Sequence, residues 1–238
     1  MSVINDFPIA NRWPPVHPDA IQLYSLGTPN GAKVSIALEE MGLPYDAHFI
    51  DFSTNDQKSP EFLSLNPNGK IPAILDPKGP NGKPIAIFES GAILFYLAEK
   101  SGKLMPADPA GRYQTLQWMF FQVGGIGPMF GQLGYFVKFA GKDIDDKRPR
   151  ERYVEESKRL LGVLETALTG KDWLLGRDYS VADIATFPWV RTLRDYYGAG
   201  DLVGLGSFKA VNAWLERALD RPAVQRGLQI PVRPAIAA

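Results

Sequence analysis

The sequence predicts a small α/β domain followed by an all-helical domain, and three observations lead to this prediction. Strand-like and helix-like patterns alternate between residues 21 and 101. A stretch with Gly and two prolines, SGKLMPADPAG, interrupts them at 101–111. Beyond it, apolar residues recur at helical spacing. The chain has 238 residues, 45% of them hydrophobic, which is enough for two small domains with cores of their own.

The elements of the first half follow the order β-α-β-(α)-β-β-α. Strands are predicted at 21–25, 45–51, 71–75 and 85–88, and helical segments at 33–42, 59–67 and 90–99. Gly42 marks the end of the first helix. Because a helix joins the first two strands, they should be parallel, whereas the hairpin sequence DPKGPNGKP should make the last two strands antiparallel.

The second half is predicted to be helical throughout. Its helices cover residues 112–123, 150–168, 180–197 and 207–219. Ser180 and Asp183 form a capping box in YSVADIA, and we expect both to have a structural role. The segment VGGIGPMFGQLG is predicted to be a glycine-rich turn bracketed by aromatic residues, where the glycines allow close packing or a mobile rim.

The domain limits follow from these patterns. The opening segment carries four prolines and two aromatic residues, which favours an extended arm packed on the surface rather than a domain. We therefore expect an N-terminal extended arm at 1–20, the α/β domain at 21–102, a linker at 103–110, the helical domain at 111–230 and a tail at 231–238.

Composition excludes several kinds of site. Lys plus Arg equals Asp plus Glu, 26 of each, so no net charge favours nucleic acid or an anionic membrane as a partner. The absence of cysteine excludes disulfides, thiolate metal sites and a protein cysteine nucleophile. His17 and His48 show no ligand spacing, so we expect no metal. Without a signal-peptide pattern or a run of about 20 apolar residues, we expect a soluble, cytoplasmic protein.

Four stretches together resemble the glutathione transferase superfamily. They are TPNGAK, NPNGKIPAI, FESGAILFYLAEK and SVADIA. Within that superfamily, QLYSLGTPNG, LQWMFFQVGGIGP, the ERY at 151–153 and RPAVQRG resemble the bacterial Nu class, which is similar to the folded part of the fungal nitrogen-regulator prion protein. The resemblance implies a thioredoxin-like N-terminal domain, an α-helical C-terminal domain and a homodimer.

Two of these motifs carry groups that suit the carboxylates, the ammonium and the peptide backbone of glutathione. Ser90 starts a predicted helix, so its N–H and hydroxyl would hold the γ-glutamyl carboxylate, while Glu89 would pair with the ammonium. The resemblance implies that Pro72 is cis, that the Ile71 backbone pairs with the cysteinyl unit and that Lys70 faces the glycyl carboxylate. Without it, Glu89 and Ser90 would be an ordinary helix start and Ile71 a core residue.

Two further contacts rest on the Nu-class resemblance. It places Gln57, in a polar loop, against glutathione, and it brings Arg152 to the ligand region from the helical domain. The local sequence alone favours a loop residue for Gln57 and a solvated helix charge for Arg152.

The thiol of glutathione needs a donor, since a free thiol with a pKa near 8.5 is only a few per cent thiolate at pH 7. Tyr24 lies within a predicted strand, where packing is favoured over a contact with sulfur. Thr28 and Asn30 stand at the start of a helix and can donate to a sulfur anion, which fits the Nu-class pattern. We therefore expect Thr28 and Asn30, rather than Tyr24, to face the sulfur.

Glutathione-dependent disulfide reduction is the reaction that best fits these residues, because two donors suit two sulfurs and no protein cysteine is needed. Two alternatives remain open. The same site could conjugate glutathione to an electrophile or reduce an organic hydroperoxide, with the second substrate between the domains. A non-catalytic regulatory or assembly protein of the same architecture is the alternative of another class.

Overall fold

The computed structural model of the protein describes residues 3–233. Within that range the chain forms two compact units, one made of residues 3–101 with 222–233 and the other of 102–221. The segment after 221 therefore belongs to the first unit, although we expected it in the helical domain. Most of the predicted tail at 231–238 lies outside the described residues.

The first unit is a thioredoxin-like α/β domain. Its strands are β1 (Ile21–Ser25), β2 (Tyr45–Phe49), β3 (Ala73–Asp76) and β4 (Ile85–Phe88). Its α-helices are α1 (Ile9–Arg12), α2 (Pro29–Met41), α3 (Pro60–Leu65), α4 (Ser90–Ser101) and α10 (Pro222–Gly227). Short 3-10 helices lie at Val3–Asp6, Asp56–Lys58 and Pro80–Gly82.

The sheet has the order β2-β1-β3-β4. β1 and β2 are parallel, with Tyr24 opposite His48, and β3 is antiparallel to both β1 and β4. β1 and β3 are buried along their whole length, so the core of this unit lies on both faces of the central strands. The predicted fold class and strand directions are confirmed.

Helix α2 follows β1 directly and is delimited by the residues that the sequence predicts. Thr28 caps its N-terminus, Pro29 occupies its first position, and Gly42 ends it in the left-handed conformation with φ 67°. Val34, Leu38 and their neighbours on one face are buried. The turn before α2 is therefore held at a fixed position at the end of the central strand.

The C-terminal segment packs on α2 through a close backbone approach. The Ser35 hydroxyl donates to the carbonyl of Gly227 over 2.7 Å, and Arg226 Nε donates to Glu39 Oε2 over 2.6 Å. A Cβ on Gly227 would lie 2.6 Å from the Cα of Ile36. Only glycine therefore fits at 227 without displacing one of the two helices.

The described part of the N-terminal arm is partly helical rather than extended. It contains the 3-10 helix at Val3–Asp6 and helix α1. Ile4 and Ile9 are fully buried in a cluster that includes Tyr24 and Phe62. Arg12 Nη2 donates to Asp56 Oδ1 over 2.5 Å. Apolar anchors thus tie the arm to the domain, which proline content alone did not predict.

The second unit consists of helices, as predicted. They are α5 (Pro109–Phe121), α6 (Gly127–Lys138), α7 (Arg148–Leu168), α8 (Val181–Arg191) and α9 (Lys209–Leu219), with 3-10 turns at Ala140–Asp143 and Leu205–Ser207. At the start of α8, the Asp183 carboxylate accepts from the Ser180 N–H over 3.0 Å, which forms the predicted box. Asp183 also accepts from Trp214 Nε1 over 2.9 Å, so the box is tied to α9.

The predicted glycine-rich turn at 123–134 is wrong. The chain runs from α5 through a π-helical turn at Gln122–Ile126 directly into α6. Close packing, one of the two roles predicted for these glycines, applies at two of them: a Cβ on Gly134 would lie 2.3 Å from the Tyr197 ring, and one on Gly127 would lie 3.3 Å from Trp189 Nε1. Neighbouring rings occupy the space that side chains at these two positions would need.

The helical spacing of Tyr113, Phe120 and other apolar residues predicts helix α5. Tyr113 and Phe120 are exposed by 73% and 71%, whereas Thr115 and Met119 are buried. Helical spacing was therefore right for this segment, but the buried side is a different one. Within residues 3–233 no helix is long and apolar enough to cross a membrane.

Two glycine substitutions test the packing of α10 on α2. We expect Gly227→Ala to destabilise the protein by about 2–3 kcal/mol, because the added methyl meets the backbone of Ile36. Gly162→Ala in α7 is the matched control, since a Cβ there meets nothing within 4 Å. It should raise stability by about 0.5–1 kcal/mol through helix propensity. Urea unfolding measures both, and equal effects would contradict the packing described.

Candidate functional site

The turn between β1 and α2 combines a helix cap with a tight backbone approach. Thr28 Oγ1 accepts from the Gly31 N–H over 3.2 Å, so the hydroxyl hydrogen remains able to donate to another group. A Cβ on Gly31 would lie 2.0 Å from the carbonyl oxygen of Leu26. Glycine at 31 therefore allows the turn that holds Thr28 and Asn30, both half-buried, at the start of α2.

Tyr24 is packed inside the domain. It is fully buried, its ring stacks on His48 with centroids 4.7 Å apart, and Trp13 meets it edge-on at 6.2 Å. Burial, followed by the charge of Asp46, raises the pKa of Tyr24 above its usual value. Its hydroxyl has no hydrogen-bond partner in the part of the chain that the structure describes. These features are those of a core residue.

Glu89 and Ser90 form the start of α4. Ser90 is the first residue of this helix and is 7% exposed. Glu89 is exposed and has φ 71°, in the left-handed region that residues other than glycine rarely adopt. Such a conformation costs on the order of 1–3 kcal/mol and is often found at binding sites. The strained turn places Glu89 directly before a helix N-terminus, where the first N–H groups have no acceptor within the helix.

The loop before β3 approaches the backbone of Gln57 at Gly69, the residue before Lys70. A Cβ on Gly69, which has φ 62°, would lie 3.0 Å from the carbonyl oxygen of Gln57. Gln57 Oε1 is buried and has no hydrogen-bond partner among the residues described. Lys70 is exposed, so its ammonium is available to a ligand. The backbone of one predicted contact residue therefore lies next to the loop that carries the other.

Ile71 and Pro72 connect this loop to β3. Their peptide bond is cis, as the resemblance implies. The Ile71 side chain is 9% exposed and belongs to the apolar cluster around Tyr24. Asn66 Nδ2 donates to the carbonyl of Lys70 over 2.6 Å and so fixes the backbone just before Ile71. The side chain of Ile71 is thus a core residue, while a role for its backbone stays a prediction.

Lys33 is the polar residue of this region that sequence reasoning missed. It is 1% exposed, and its Nζ donates to Asn30 Oδ1 over 2.8 Å and to Ser90 Oγ over 3.3 Å. Burial lowers its pKa to about 7, and the Glu89 carboxylate opposes this shift. One signal could have found it, because Lys33 lies three residues after Asn30 and four before the buried Ala37, on one helix face.

Arg152 belongs to the other unit of the chain. It is exposed on α7 in the second unit. In that unit, the hydrogen bond from Arg159 lowers the pKa of the Glu156 carboxyl, and the charge of Arg152 lowers it further. The assignment of Arg152 to a ligand therefore stays a prediction from the resemblance.

No metal centre is found where the structure describes the chain. Between residues 3 and 233, no group of three or more His, Cys, Asp or Glu side chains is arranged to hold a metal ion. The polar groups of the first unit, with two helix N-terminal regions and a buried ammonium, suit an anionic organic ligand instead.

Comparison with known proteins identifies the family. The protein-family model of the glutathione S-transferase N-terminal domain matches residues 19–99, and the family model of the C-terminal domain matches residues 149–217. A disulfide-bond oxidoreductase of Escherichia coli K12, YfcG, is 44% identical over 209 residues, which cover 87% of this chain and 94% of YfcG. The chain belongs to the glutathione S-transferase family. The resemblance to the Nu class is confirmed.

Solved structures of relatives share the whole architecture. A glutathione transferase from Burkholderia graminis is 63% identical with a TM-score of 0.97, covers 98% of both chains, and holds two glutathione molecules per subunit. One from Pseudomonas putida is also 63% identical with a TM-score of 0.94, covers 96% of this chain and 99% of its own, and holds one glutathione disulfide per subunit. Glutathione is therefore the ligand of close structural relatives.

The lowered pKa of Lys33 predicts a pH-dependent contribution to stability. Its pKa is about 7 in the folded protein against 10.5 for a solvated lysine, so between these values the unfolded chain binds one more proton. Rising pH then favours the folded state, by at most about 1.4 kcal/mol per pH unit. We expect the stability of the wild type relative to Lys33→Met to rise between pH 7 and 10 in urea unfolding. A constant difference would contradict the lowered pKa.

Proposed function

We propose that the protein is a glutathione-dependent disulfide-bond oxidoreductase that uses bound glutathione as its thiol. The observation that carries this proposal is the polar cluster of Thr28, Asn30, Lys33 and Ser90 in a chain without cysteine. A thiol reaction at this cluster needs a thiol from outside the protein. The name of YfcG and the ligands of the two solved relatives support glutathione as that thiol.

In this proposal, glutathione lies along the α4 and β3 side of the first unit. The Ser90 N–H and hydroxyl take the γ-glutamyl carboxylate, and Glu89 takes the ammonium. The backbone of Ile71 pairs with the cysteinyl unit, and Lys70 faces the glycyl carboxylate. The proximity of Gln57 to the loop of Lys70 supports a contact at that end. We propose Arg152, in the second unit, as a further contact of glutathione.

Thr28 and Asn30 are the proposed donors to the sulfur. Lowering the thiol pKa from about 8.5 by roughly 1.5–2 units needs about 2–3 kcal/mol of preferential thiolate stabilisation. The Thr28 hydroxyl hydrogen and the Asn30 amide hydrogens can supply it beside the N–H groups of α2. The buried position of Tyr24 supports this assignment over a tyrosine donor.

The reaction is a pair of thiol–disulfide exchanges. The thiolate of bound glutathione attacks one sulfur of a disulfide, so a mixed disulfide forms and one thiolate leaves and takes a proton. A second glutathione thiolate then attacks the glutathione sulfur of the mixed disulfide. Glutathione disulfide forms and the second thiol leaves, so two glutathiones supply the two electrons.

We also propose that the protein forms a homodimer. Tyr113 and Phe120 on α5 are exposed in the single chain, and large exposed apolar side chains on one helix face suit a protein contact. Light scattering coupled to gel filtration would test it, since a monomer mass at micromolar concentration would contradict the proposal.

Turnover is the direct test of the proposed function. We expect the protein to bind glutathione resin and to reduce hydroxyethyl disulfide with glutathione. The glutathione disulfide formed is measured through the oxidation of NADPH by glutathione reductase. A chloronitrobenzene and cumene hydroperoxide test conjugation and peroxide reduction in parallel, and faster turnover of either would replace the proposed reaction by that one. If the protein neither binds the resin nor turns over any of these substrates, the result favours a non-catalytic regulatory or assembly protein.

Two conservative substitutions rank the candidate thiol donors. We expect Thr28→Ala to lower disulfide reductase activity by at least about tenfold, because a donor to the thiolate is lost. Tyr24→Phe removes only a buried hydroxyl without a described partner, so it should leave activity within about twofold and stability unchanged or higher. The opposite ranking in kcat/KM would refute Thr28 as the donor.

A further inference from the structure

A single buried ammonium joins two side chains that the proposed function places on different parts of glutathione. Asn30 lies on α2 at the proposed sulfur position, and Ser90 starts α4 at the proposed γ-glutamyl position. Lys33 Nζ lies 2.8 Å from Asn30 Oδ1 and 3.3 Å from Ser90 Oγ. At 1% exposure, Lys33 is screened from solvent and its ammonium is directed at these two oxygens.

The chemistry of Lys33 fixes the orientation of the Asn30 carboxamide. A lysine ammonium only donates, so it selects the carboxamide oxygen and excludes the NH2 group from its side. The NH2 group of Asn30 must then lie on the opposite side of the carboxamide. An asparagine without such a neighbour can present either end to a ligand. With Lys33 in place, Asn30 presents donors, which a thiolate requires.

The same reasoning applies to Ser90. Its hydroxyl oxygen accepts from Lys33 Nζ, so its hydrogen is free to turn toward another acceptor. A carboxylate bound at the start of α4 would be such an acceptor. The positive charge of Lys33 would also attract the carboxylate, because few water molecules screen a charge at this depth.

We propose that Lys33 is a positioning residue that sets both Asn30 and Ser90 as hydrogen-bond donors toward glutathione. This inference rests on the proposed function and adds a residue that touches the ligand only through its neighbours. The alternative is that Lys33 has a purely structural role. Burying an ammonium between the N-terminal turns of two helices costs free energy, however, and a hydrophobic side chain of similar length would fill the space at lower cost.

The charged groups around Lys33 define when it acts. Glu89, immediately before α4, favours the charged form of Lys33. Burial disfavours that form and lowers the pKa of Lys33 to about 7. On α10, which also packs against α2, Arg226 is bonded to Glu39 near the other end of α2. Lys33 is therefore charged below neutral pH and loses its proton as the pH rises through 7, unless a bound anion retains it.

The test measures binding of S-methylglutathione, which has no thiol to titrate, by calorimetry between pH 6.5 and 8.5. The full-length wild type is compared with Lys33→Met, which keeps the length of the side chain, and with Lys83→Met, an exposed hairpin control. We expect Lys33→Met to weaken binding at pH 6.5 by tenfold or more and Lys83→Met to leave it unchanged. Wild-type affinity should fall severalfold toward pH 8.5, while that of Lys33→Met stays constant.

The outcomes separate this inference from the proposed function. If the wild type binds and turns over glutathione but Lys33→Met has the same affinity and pH profile, the positioning role is overturned and the proposed function stands. If the wild type binds neither glutathione nor S-methylglutathione, both are overturned. Should Lys33→Met fail to fold, the wild type decides, because an affinity that is constant from pH 6.5 to 8.5 would contradict the role of Lys33.

Discussion

The contact of Lys33 with Asn30 and Ser90 is the interaction on which the candidate site depends. It joins the first turns of α2 and α4, which follow different strands of the sheet. Both helix N-terminal regions carry partial positive charge, and the ammonium adds a full one. Positive potential from these three sources stabilises a bound anion. Burial lowers the pKa of the Lys33 ammonium to about 7, and the Glu89 carboxylate opposes this shift.

Several residues of the site are unfavourable for the folded protein when taken alone. Glu89 has a left-handed backbone, Lys33 is a buried cation, and Gln57 Oε1 has no partner among residues 3–233. The Glu89 backbone costs free energy that only a glycine would avoid, and the buried polar groups of Lys33 and Gln57 cost free energy that hydrophobic side chains would not. Such costs concentrate where a ligand compensates for them, since an anion relieves Lys33 and a donor would satisfy Gln57. The cluster is thus more coherent as a binding site than as part of a core.

Most of the first unit could be predicted from the sequence because local signals and the final packing agree. Thr28, Gly42 and the hairpin at 76–84 define element limits through turn and cap geometry alone. The rest depends on contacts between distant segments. Lysine is rarely buried, so the position of Lys33 on the helix face of Asn30 and Ala37 is a weak signal that it faces inward. Gly227 lies against Ile36, 191 positions earlier, and Gly134 against Tyr197, and in both cases the sequence shows a glycine but not its neighbour.

The lack of cysteine constrains the chemistry more than any single contact does. With no protein thiol, the chain cannot form a covalent disulfide intermediate with its substrate or lose activity through oxidation of its own nucleophile. In the proposed reaction the nucleophile is renewed with each molecule of glutathione, and the protein contributes only its donors. Those donors must then be correctly oriented before the thiolate arrives, because no covalent bond holds the sulfur in place. A fixed carboxamide at Asn30 meets that requirement, and a freely rotating one would not.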